Sequence, residues 1–323
     1  MDAFIIMLKN VIVFIALAIP GYLLIKCKVL KNENSVVLSK ILSLVAMPFL
    51  IVSGTLTVNF TGQTIINLIW AGVFGIVFTF ALFFLSKAMV TKSFDKNSPL
   101  GKDKIQGMER FCAIFPNNGF LGIPLAIAVF GSNSLIVAYL VIINIVNNTL
   151  IYTLGVYLIS GDKKSIDIKK ILLNPVLLGF IAGLILNLTK VTNFLPEVAT
   201  YSEHFKNLIT PISMTILGMK MGDIRFGLLF SSWKMYYVSF IKLIIGPVLT
   251  VGITMALCPL LNIDRNMIMS MFMAFSISTA ALSTAIADTY DGDIKNGTIY
   301  TLGSTVLSII TIPLLYLVLC LII

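Results

Sequence analysis

The densest run of chemically special residues in this chain is Phe115–Pro116–Asn117–Asn118–Gly119–Phe120–Leu121–Gly122–Ile123–Pro124. A proline lacks a backbone donor, so Pro116 frees the carbonyl of Cys112 and Pro124 frees that of Phe120. Unpaired backbone groups are expensive in an apolar medium, so the run reads as a helix broken where protein or a wet cavity covers the break. Past the break, free N–H groups and the positive end of a helix dipole would face an anion. Asn117 and Asn118 add amide donors beside Gly119, and Pro116, Gly122 and Pro124 are the hinge positions. The rival reading is a packed proline kink, but a kink has no need of two asparagines.

Three further groups carry polar atoms inside apolar runs. Asn144, Asn148 and Tyr152 fall on one face at helical spacing, with Asn147 beside them. They bond neighbouring helices or face a substrate. Ser276, Ser278, Thr279, Ser283 and Thr284 surround Ala280 and Ala281, a composition that permits close helix packing and can also line a polar site. Lys242 is the one strong charge well inside an apolar run. A lysine at a membrane centre costs roughly 2.5–3.5 kcal/mol on insertion scales, so it needs a partner or a wet cavity. It would counterbalance an anion, bond carbonyls freed by a break, or snorkel.

Other chemistries find little support. Glu109, Asp288, Asp291 and Asp293 sit at the ends of runs, which disfavours a central carboxylate relay or a carboxylate-built sodium site. H+ or Na+ coupling through backbone carbonyls stays open. His204 reads as a surface residue, and Cys27, Cys112, Cys258 and Cys320 have no metal or redox spacing. No phosphate-gripping loop, nucleophile–base pair or metal cluster is evident, so neither an enzyme nor a cofactor is expected.

These residues must be held by membrane helices. Hydrophobic residues make up 58% of the 323 and charged residues 11%, too little charge to cover a soluble surface. Apolar runs long enough to cross a bilayer lie near 4–25, 36–58, 64–90, 106–130, 134–159, 171–189, 205–221, 231–258, 266–287 and 298–322. The first, with no basic region before it, reads as a retained helix and not a signal peptide. Of the 23 Lys and Arg, eighteen flank odd-numbered loops, four flank even loops or the N-terminus, and Lys242 is the remainder. Basic residues are retained in the cytoplasm, so both termini are expected outside the cell membrane. The net charge of +9 is thus dispersed over loops and implies no nucleic-acid partner.

The expected fold is an all-α polytopic membrane protein of ten helices. Five spans precede and five follow a basic linker at 161–170, so 1–160 and 171–323 would insert with opposite orientation. Pro116–Gly131 in span four and Ser278–Gly292 in span nine are offset by 162 residues, about half the chain. That pattern points to a transporter with a midplane site. A membrane sensor on a transporter-like scaffold and an ion channel are the alternatives.

The motif Phe115–Leu125 resembles the broken-helix signature of the auxin efflux carrier family, which includes plant PIN proteins and bacterial carriers of malonate-like acids. Met47–Pro48–Phe49, Asn174–Pro175, Lys242 five residues before Pro247, Ala280–Ala281–Leu282 through Ala287, and Tyr290 also look like that family. The resemblance implies two inverted five-helix repeats whose helices four and nine cross at their breaks. It implies a scaffold from helices one, two, six and seven, a mobile unit from helices three to five and eight to ten, elevator-like transport and a homodimer. Pro116 and Asn117 match the crossover proline and asparagine, and Asn148 and Tyr152 resemble substrate-contacting residues of PIN members. Ser278 stands where the family usually has a proline, so a less sharply broken helix nine is expected. The short central loop fits a bacterial-type carrier of small organic anions, mono- or dicarboxylates such as malonate or malate.

Overall fold

The computed structural model describes residues 2–91, 101–132, 134–167, 169, 172–223, 227 and 232–323. The basic residues Lys92, Lys96, Lys170 and Arg225, used above for orientation, lie outside the described residues. In chain order the helices are α1 (Asp2–Lys26), α2 (Asn34–Leu56), α3 (Gly62–Met89), α4 (Lys102–Ile114), α5 (Asn118–Phe130) and α6 (Leu135–Ser160). They continue as α7 (Pro175–Leu188), α8 (Glu197–Asp223), α9 (Trp233–Leu260), α10 (Asn266–Phe275), α11 (Ser283–Thr289) and α12 (Ile294–Ile322). Among the described residues there is no strand, only an isolated antiparallel bridge between Pro116 and Thr279.

Among the described residues, six helices are long and apolar enough to cross a membrane: α1 from Ile5 onward, α2, α3, α6, α9 and α12. The shorter α5, α7 and α10 are also apolar. The helices begin where side chains can receive their first N–H groups. Thr61 accepts from Thr64 N at 3.2 Å, Ser134 from Ile136 N at 3.2 Å, and Asn174 from Val176 N at 2.9 Å with Pro175 in the first turn. The Asn174–Pro175 start makes α7 shorter than the expected 171–189. By contrast, α8 runs back to Glu197, well before the expected start at 205, because the polar turns through Lys206 continue the helix.

Two helix pairs are held by close backbone approach. On α8, a side chain at Gly218 would run into Ala18 O and one at Gly222 would reach Ile25 Cβ at 2.9 Å, so only glycine lets α1 sit this near. On α7, a side chain at Gly179 would meet Pro48 O at 2.7 Å and one at Gly183 would meet Thr55 Cβ at 2.9 Å. Asn187 Nδ2 then donates to Thr55 O, Leu56 O and Val58 O at 3.0–3.1 Å, closing the C-terminus of α2. Phe49 of α2 stacks on Phe205 of α8 at 4.7 Å, which joins the two pairs.

The remaining helices surround two interruptions. One separates α4 from α5 at Phe115–Asn117, the other separates α10 from α11 at Ser276–Leu282. Residue 278 is a serine, yet the second helix is broken outright, contrary to the expectation of a milder break. The partners described next remove the need for a proline.

Candidate functional site: the crossing of two broken helices

At the first interruption Phe115 turns extended (φ −82°, ψ 122°), so α4 cannot continue. The extended segment pairs with its counterpart from the second interruption. Asn117 N donates to Ser278 O at 2.8 Å and Ala280 N donates to Phe115 O at 2.9 Å. The carbonyl of Cys112, freed by Pro116, accepts Thr279 Oγ1 at 2.8 Å. Ile114 O accepts Lys242 Nζ at 3.1 Å. From α12, Ser304 Oγ accepts Thr279 N at 3.1 Å, and Thr305 Oγ1 donates to Ser278 Oγ at 3.1 Å. Ser283 and Thr301 hydroxyls lie 2.7 Å apart. The rear of the crossing is thus a buried polar lattice with its freed backbone groups paired, as a dry interior demands.

The front is different. A cavity of about 90 Å³ opens between the first break, α6, α2, the start of α7 and Ala280–Leu282. By occupied volume that is room for several water molecules or one small acid. Asn118, 1% exposed, has neither Oδ1 nor Nδ2 paired, and the Nδ2 groups of Asn144 and Asn147 also lack acceptors. Their oxygens are engaged: Asn144 Oδ1 accepts Asn148 Nδ2 at 3.0 Å, and Asn147 Oδ1 accepts Thr79 Oγ1 at 3.0 Å. Buried amides normally find partners, so three idle NH2 groups beside one cavity call for an acceptor-rich guest. No Asp or Glu is among the described residues lining it. An amide-lined cavity without negative charge suits an anion. Among the described residues no group of three or more His, Cys, Asp or Glu could hold a metal ion.

Residues 5–316 match the family described as membrane transport protein. The chain belongs to that family, the auxin efflux carriers. It is also 28% identical over 310 residues to an uncharacterized transporter of Methanothermobacter thermautotrophicus, covering 95% of this chain and 96% of that relative. A membrane transport protein moves a solute and leaves it unaltered, so the cavity is to be understood through binding and release.

In this carrier the expected site residues divide into two sets. Pro116, Asn117, Asn118, Gly119, Asn148 and Tyr152 line the cavity. Gly122 and Pro124 are buried behind it, and a side chain at Gly122 would touch Asn118 Oδ1 at 3.0 Å. Ser278 and Thr279 turn away from the cavity toward α12 and α4. Lys242, 1% exposed, lies behind the crossing, where a π turn over Ile241–Ile245 carries it; its ammonium also sits 6.0 Å above the Phe275 ring. It serves a freed carbonyl and lines no part of the cavity.

Asn144 and Asn147, for which helix bonding and a substrate-facing role were both open from the signal of their spacing to Asn148, line the cavity too. Ser43, Met47 and Ala281 also line the cavity and carry no such signal. Glu109 was expected at a helix end with other acids; it is instead buried, with Tyr300 Oη at 3.3 Å and Lys234 Nζ at 3.7 Å.

Proposed function

We propose that this membrane transport protein is a secondary carrier of small organic anions, mono- or dicarboxylates such as malonate or malate. The observation that carries the reading is the set of unpaired amide donors of Asn118, Asn144 and Asn147 around a cavity without carboxylates. A carboxylate would be held there, with Asn117 beside it and with the N-terminal end of α5 supplying dipole and N–H groups.

The proposed architecture is ten spans in two inverted five-helix repeats, 1–160 and 171–323, with both termini outside the cell membrane. The placement of one broken helix in each half supports it. The proposed motion is elevator-like. The glycine-tied pairs α1/α8 and α2/α7 would form the scaffold and the homodimer contact, and the crossing with α3, α6, α9 and α12 would move against it. Support comes from the cavity itself, which is bounded by α2 and α7 on one side and by the crossing on the other.

Counterflow in proteoliposomes tests the reading, with malonate, malate, succinate, lactate and indole-3-acetate loaded one at a time. Saturable exchange is expected for at least one acid, with H+ or Na+ coupling read from imposed gradients. Asn117→Ala removes hydrogen bonds to a charged group, worth about 1.5–3 kcal/mol, so exchange should fall about tenfold to a hundredfold. Unchanged exchange by folded Asn117→Ala removes the site assignment. Binding without exchange would identify a sensor, and currents beyond carrier turnover a channel.

A further inference from the structure

Lys220 lies in the last turns of α8 and was expected to be a loop-flanking charge. Its place there agrees with that expectation, and it has a second neighbour besides the loop. It lines a second, smaller cavity of about 30 Å³, together with Asn117, Phe120, Ala281, Thr301 and Thr305. Asn117, Phe120 and Ala281 also border the larger amide-lined cavity, so the two spaces share a wall. Lys220 is partly buried, and among the described residues it has no ion pair and no hydrogen bond. The nearest acid along its helix, Asp223, is bonded instead by Asn32 Nδ2 at 3.0 Å. A lysine lining a cavity between apolar helices, with no anion of its own among the described residues, is poorly placed for stability and well placed to receive a negative charge.

We propose that Lys220 is a specificity-determining residue, meeting the second negative charge of a dianionic substrate whose first carboxylate is held by the amides of the larger cavity. The proposal rests on the organic-anion reading above and adds the charge state of the substrate. A monoanion would leave the ammonium unanswered, so the carrier should discriminate by charge as well as by size.

The test compares each dicarboxylate with its own half-amide, succinate against succinamate and malonate against malonamate, which have nearly the same shape and one charge fewer. Wild-type protein in proteoliposomes should show a KM for the dianion at least about tenfold below that for the half-amide, a difference within the range of one charge-assisted contact. Lys220→Gln should raise the dianion KM by that factor and leave the half-amide KM unchanged, while Lys220→Arg keeps the preference. Because Lys220→Gln could fold poorly, Lys220→Cys in a Cys27→Ser/Cys320→Ser background gives an independent measurement. Aminoethyl methanethiosulfonate, which rebuilds an ammonium on the folded protein, should restore the preference, and the neutral methyl reagent should not. If both KM values shift together, if neither shifts, or if both reagents act alike, Lys220 is not the charge reader and the anion carrier stands. Exchange of no acid by wild type overturns both proposals.

Discussion

The bond from Thr279 Oγ1 to Cys112 O tests whether the crossing is held by hydroxyls that stand in for a missing backbone donor. Thr279 is fully buried and the bond is 2.8 Å long. Pro116 cannot supply the N–H that a continuous helix would give this carbonyl. Thr279→Val keeps the shape of the side chain and deletes only the hydroxyl, so no cavity opens and the backbone pairing with Asn117 persists. What remains is a buried carbonyl without a partner, which costs about 1–3 kcal/mol. Thr279→Ser keeps the hydroxyl and loses one buried methyl, about 1 kcal/mol. Unfolding free energies in detergent should therefore fall further for valine than for serine, by a margin of up to about 2 kcal/mol, the hydrogen-bond penalty less the methyl term. If Thr279→Val matches wild type, or serine is the worse substitution, the hydroxyl does not hold the break and packing alone does.

Further consequences follow from the same geometry. Asn118→Ala removes an amide whose two polar atoms are both unpaired, so stability should stay within about 1 kcal/mol of wild type while anion exchange falls; a large loss of stability would show the amide to be structural. Gly218→Val should separate α1 from α8 and lower the unfolding temperature in detergent sharply, whereas Gly62→Ala, which faces open space, should leave it in place. Lys234→Met strands the buried Glu109 carboxylate and should destabilise more than Glu109→Gln, which removes the charge itself; the opposite order in thermal unfolding would mean that the 3.7 Å pair is not what holds Glu109.

Much of the helical layout was legible because a bilayer imposes a length on apolar runs. The first interruption was legible for a local reason: Pro116 carries its defect in the backbone. The second was legible only through the family resemblance, and as a milder break than the structure has, because Ser278 has an N–H and nothing nearby forbids a helix. Its partners come from distant sequence: Phe115 and Asn117 supply backbone pairing, and Ser304 and Thr305 supply hydroxyls. The same limit applies to Lys242. Its isolation in an apolar run marks it as needing a partner, but only the fold shows that the partner is Ile114 O. The close approaches at Gly179/Gly183 and Gly218/Gly222 are visible as spacing, while the helices they admit are not.

The division between the two faces of the crossing bears on how a carrier of this kind could move. Behind the crossing, backbone, hydroxyl and lysine bonds link α4, α9, α12 and the second interruption so closely that separating them would strand several buried polar groups. The α1/α8 and α2/α7 pairs are joined as tightly, through glycine faces and the capping amide of Asn187. The amide-lined cavity lies where these two assemblies meet, and there the contact is of another kind. A side chain at Gly119 would run into Met47 Cε, an apolar and flexible terminus. Sliding along such a contact breaks few directional bonds, whereas bending either assembly breaks many. Under the proposed mechanism the site is therefore carried whole, with Asn117 and Asn118 keeping their relation to the break. Access then changes through whatever α2, α7 and the Lys220 face of α8 place in front of it.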